Sequence, residues 1–75
     1  MDDRRNYGNL ANAIIGQAVK DYRRAWKILR ANPRDRISRI CIKEVEDFFL
    51  SDWFTVLTAY NGRDLLQFLK KETAA

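Results

Sequence analysis

Apolar side chains return with a helical period through the first part of the chain. Ile15, Val19, Tyr22, Trp26 and Leu29 fall at spacings of 4, 3, 4 and 3, which a turn of about 3.6 residues sets on one face. The spacing predicts a first helix over residues 10–31, about 33 Å long at ~1.5 Å per residue, with Trp26 in the core. Asn9 is the expected N-cap, because its side-chain carbonyl can accept an amide of the first turn. At the far end Arg30 suits the negative pole of the helix dipole, and Pro33 disfavours helical geometry at Asn32.

A second periodic run carries Ile37, Cys41, Val45 and Phe48 at spacings of 4, 4 and 3, with Ile40 and Phe49 beside them. It predicts a helix over 35–50. Ser51 then interrupts the apolar run with a side chain that favours an N-cap, and Asp52 follows where negative charge is stabilised. A break at Ser51 and a short third helix over 52–60 are therefore expected; the alternative is one continuous helix, which would project its rings all round the axis. Asn61 and Asp64 stand three apart, as in a capping box, or Gly62 ends the third helix in a left-handed conformation. Leu65, Phe68 and Leu69 form the expected inner face of a fourth helix, with Lys70 and Lys71 near its C-terminus. Residues 1–8 and 73–75 lack periodicity and are expected to fray. No run alternates as a strand would, so the fold class is all-α: one domain, a compact bundle of three to four helices with the first the longest.

The stretch "FFLSDWF", residues 48–54, concentrates four rings at the expected corner. A chain of 75 residues needs such concentrated apolar area, since small domains bury a limited share of their surface. The rings are read chiefly as core. Trp53, the first ring after the cap, is the expected exposed exception and a candidate for stacking on a base.

Composition narrows the chemistry. There is no histidine and one cysteine, which removes His-based nucleophile pairs and thiolate zinc sites. Gly8, Gly16 and Gly62 are too scattered for a phosphate loop. Glu44 and Asp47 share a helical face, but acids at that spacing are ordinarily a solvated face. Catalysis, a cofactor, a metal or a small-molecule substrate is not expected. One thiol cannot close an internal disulfide, "MDDRRNYGN" does not look like a signal peptide, and no run approaches the ~18 apolar residues of a spanning helix. A cytoplasmic protein without membrane contact is expected.

Charge is the more informative property. Residues 1–34 carry eight Lys or Arg against three acids, net +5, and residues 35–75 six against seven, net −1. Lys20, Arg23, Arg24, Lys27 and Arg30 fall within an arc of roughly 120° on the first helix at ~100° per residue, and Arg34 extends it past the turn. Such a stripe can follow the phosphates of DNA or RNA. The alternative is a protein-interaction module, a homodimer or a binder of another protein, with no nucleic-acid contact.

The segments "AVKDYRRAWKILRANP", "FFLSDWFTVLT" and "NGRDLLQFLKKE" resemble short proteins of unassigned activity encoded by phages and integrative mobile elements of Gram-positive bacteria. The likeness spans residues 13–72. It implies a bacterial cytoplasm and a mobile element, and it transfers no site; the basic stripe adds the expectation of an accessory or regulatory role there.

Overall fold

A computed structural model describes residues 3–74 of the chain, with side chains over 10–73. Four helices follow one another, α1 (Asp3–Ala31), α2 (Arg36–Phe49), α3 (Asp52–Leu57) and α4 (Gly62–Ala74). No strand occurs among the described residues. The all-α bundle with its first helix longest is thus the observed architecture. α1 starts at Asp3, so Asn9 lies inside the helix and is not its cap, and residues 3–8 continue it where fraying was expected. The expectation for residues 1, 2 and 75 falls outside the described residues.

α1 and α2 form an antiparallel hairpin, α4 packs across one side of it, and α3 fills the corner between α2 and α4. Each break has a local cause. Asp35 caps α2, accepting from the Ser38 amide at 3.0 Å and the Ser38 hydroxyl at 2.5 Å. Ser51 caps α3, its Oγ accepting from the Phe54 amide at 3.3 Å and donating to the Phe48 carbonyl at 2.6 Å. The helix is therefore broken at Ser51, and α3 stops at Leu57, three residues before the expected end, where Thr58 turns extended. Asn61 caps α4, its Oδ1 accepting from the Arg63 and Asp64 amides at 2.9 and 3.2 Å.

Gly62 is not in a left-handed conformation. Its requirement is steric: a Cβ there would sit 1.9 Å from the Phe49 carbonyl oxygen. The missing side chain lets the start of α4 rest on the end of α2.

The core is built from Tyr22 and Ala25 of α1, Ile42, Val45 and Phe49 of α2, Phe54 of α3, and Leu66 and Leu69 of α4. Phe48, Phe49 and Phe54 meet at centroid distances of 5.4 to 5.5 Å, which makes the corner rings mutual packing partners. Trp53 faces outward, 56% exposed.

Three inner faces differ from the periodic reading. On α2 the buried line is Ser38, Ile42, Val45 and Phe49, while Ile37 is 79% exposed and Cys41 and Phe48 lie at the margin. Ser38 can be buried because Asp35 satisfies its hydroxyl. On α4, Leu66 and Leu69 are buried and Phe68 is 60% exposed. On α1, Tyr22 takes the central place, and Trp26 packs against the core from its edge. The Tyr22 hydroxyl donates to Glu46 Oε2 at 3.0 Å; burial raises its pKa, the Trp26 indole pulls it down by less than burial raises it, and the Glu46 carboxylate adds to the rise.

Candidate nucleic-acid interface

The six cations expected to act together are divided by the fold. Arg23 forms a bidentate pair with Glu72 of α4, Nε to Oε1 at 2.5 Å and Nη2 to Oε2 at 3.1 Å. Arg24 pairs with Asp21 at 2.9 Å, and Arg30 donates to the Thr73 carbonyl at the end of α4. Arg23 and Arg30 thereby tie α4 to α1. Lys20, Lys27 and Arg34 form no ion pair among the described residues.

At the α1–α2 corner the fold brings Arg30 and Arg39 onto one cleft, within a stretch of chain rich in cations. Residues 27–39 hold Lys27, Arg30, Arg34, Arg36 and Arg39 against the single acid Asp35, a net +4 that equals the charge of the whole chain. Asp35 is committed to the cap of α2, and its two bonds from Ser38 hold its carboxyl below the usual aspartate range. No acid stands in the first turn of α2. Arg36 and Arg39 belong to this corner, although the helical-wheel argument passed over them. The signal that could have found them is the local charge count across the Pro33 turn, which a wheel drawn for one helix does not cross.

Beside the corner lies an open cleft of about 370 Å³ lined by Trp26, Leu29, Arg30, Pro33, Arg39 and Ile42. Its floor is apolar and its rim carries two guanidinium groups. The Arg39 guanidinium donates to the Pro33 carbonyl at 2.5 Å, which holds it against the turn. Trp53 is not part of this arrangement: it follows the C-terminal end of α2, roughly 20 Å from the corner along a helix rising ~1.5 Å per residue. The ring beside the cations is Trp26, whose Nε1 is buried without a hydrogen bond of regular geometry.

No protein-family model, curated protein or solved structure matches the chain. The site is therefore weighed on its chemistry alone. Burial pushes the Cys41 thiol upward, and Asp21 and Glu44 add to the shift against Arg24, so its thiolate is scarce near neutral pH. Asp47 is paired with Lys43 at 3.3 Å, and no group of three or more possible metal ligands occurs among the described residues. Among those residues no helix is long and apolar enough to cross a membrane.

Proposed function

We propose that this protein binds nucleic acid through the cationic α1–α2 corner, as an accessory or regulatory factor in the cytoplasm. The observation that carries the reading is the placement of Arg36. A cation in the first turn of a helix opposes the dipole and costs about 0.3–1 kcal/mol, and no carboxylate pairs with Arg36 among the described residues. Folding gains nothing from it. An incoming phosphate gains from the guanidinium groups. The cleft beside the corner adds an apolar place for one unstacked base against Trp26 and Arg39, a contact single strands can make and duplexes cannot.

The test replaces Lys27, Arg34 and Arg36 with Gln, none of which holds another element in place through its side chain. Oligonucleotide affinity is measured across a salt series. The log-log slope is expected to shrink by ~0.7–0.9 per lost phosphate contact. A control that replaces Lys20, Arg63 and Lys71 removes equal charge elsewhere and should leave the slope nearly unchanged. Arg36→Glu alone is expected to raise stability by about 0.3–1 kcal/mol while weakening binding. Equal losses in the two triple variants, or no binding by the wild type in about 50 mM salt, refutes the reading.

A further inference from the structure

A second surface lies on the side of the α1–α2 hairpin away from α4. Leu10, Ile14, Gln17, Asp21, Arg24 and Ile28 recur along α1 at spacings of 4, 3, 4, 3 and 4, and Ile37, Cys41, Glu44 and Phe48 along α2 at 4, 3 and 4. Two open grooves of about 450 and 400 Å³ run between these lines, and no residue of α3 or α4 lines either one. Leu10 is 59%, Ile28 41% and Ile37 79% exposed.

We propose that this face binds the same face of a second copy, with the two α1 helices antiparallel about a twofold axis near residue 19. The 4–3 spacing is that of a coiled-coil seam, which keeps two helices in contact along their length. The order of side chains along α1 selects the direction. Reversed on itself, the line sets Leu10 against Ile28, Ile14 against the aliphatic stem of Arg24, and Gln17 against Asp21. Within the chain Gln17 already donates to Asp21 at 2.9 Å, and in the pair that amide can serve the opposite carboxylate. A parallel pairing would oppose Asp21 to Asp21 and Arg24 to Arg24, and like charges facing across a seam are disfavoured.

Area sets the strength. Residues 10–28 span about 27 Å, and two helices packed ~8–10 Å apart present a face about 15–20 Å wide. The pair would bury on the order of 1,000 Å², the lower end for a specific interface. Association is therefore reversible.

Sedimentation equilibrium over a concentration series up to about 1 mM should show the mass rising from 8.9 kDa toward twice that value. Leu10→Glu and Ile28→Glu, at exposed positions, should keep the helical spectrum of the wild type, and its melting temperature at concentrations where both are monomeric, while raising the dissociation constant by at least about tenfold, a ~1.4 kcal/mol loss. In a Cys41→Ser background, a mixture of Leu10→Cys and Ile28→Cys chains should form disulfide-linked pairs, and neither chain alone should do so. A wild type that stays at 8.9 kDa throughout overturns the proposal and leaves the face to a partner of another sequence. A dimer indifferent to both Glu variants, or one in which Leu10→Cys links to itself, overturns it as well.

Discussion

Substituting Ala at Gly62 isolates the contact that sets α4 on α2. The added Cβ would lie 1.9 Å from the Phe49 carbonyl oxygen, 2.9 Å from its carbon and 3.0 Å from Phe54 Cδ1. The first two atoms are backbone within a helix, and the third belongs to a ring that is 1% exposed, so none can swing aside. α4 must retreat, which loosens Leu66 and Leu69 against Phe49 and Phe54. Overpacking ordinarily costs ~1–3 kcal/mol, and a clash with fixed backbone belongs at the upper end. Helix propensity works the other way by about 1 kcal/mol, since no left-handed conformation reserves the site for glycine. The net expectation is a loss of about 2 kcal/mol or more, which for a domain of this size lowers Tm by roughly 10 °C. Gly16→Ala is the internal control, because a Cβ there meets nothing within 4 Å. It should raise stability by up to about 1 kcal/mol from propensity alone. Urea denaturation of both variants at constant slope reads the two signs directly. A Gly62→Ala protein with an unchanged or higher midpoint would refute the close-approach argument.

At the corner, Ser51→Ala should cost ~0.5–2 kcal/mol and Ser51→Gly only a few tenths; denaturation midpoints in the reverse order would mean that helix propensity, and not the cap, governs the site. Asp35 gives a pH signature. Its folded pKa lies below the usual value because Ser38 hydrogen-bonds the ionised form, so its stabilisation is fully present above the unfolded pKa and is lost as pH falls through the folded one. Asp35→Asn keeps an acceptor without the charge, and thermal melts between about pH 5 and pH 2 should fall less steeply for it; identical acid limbs would count against the cap as a source of acid sensitivity.

The sequence by itself determined where the chain breaks. Asn32-Pro33, Ser51 and Asn61 act on their own backbone within three residues, so their effects can be read without knowing what lies across the fold. The all-α class and the packing role of Phe48, Phe49 and Phe54 were legible for a similar reason, since a short chain has few places to put large rings. Tertiary structure decided the rest. α2 carries two apolar lines about 100° apart, one through Ile37 and Cys41 and one through Ile42 and Phe49, and only the position of α1 and α4 chose the second; a serine in the chosen line hid it from a hydrophobicity count. Phe68 lost its inner place to Leu66 by the same rotation. The cations were sorted by partners remote in sequence: Glu72, 49 residues from Arg23, neutralises part of the expected stripe, while the Pro33 turn brings Arg39 onto the same cleft as Arg30. A wheel drawn for one helix contains neither fact, because pairing and screening of charge depend on distance through space and not along the chain.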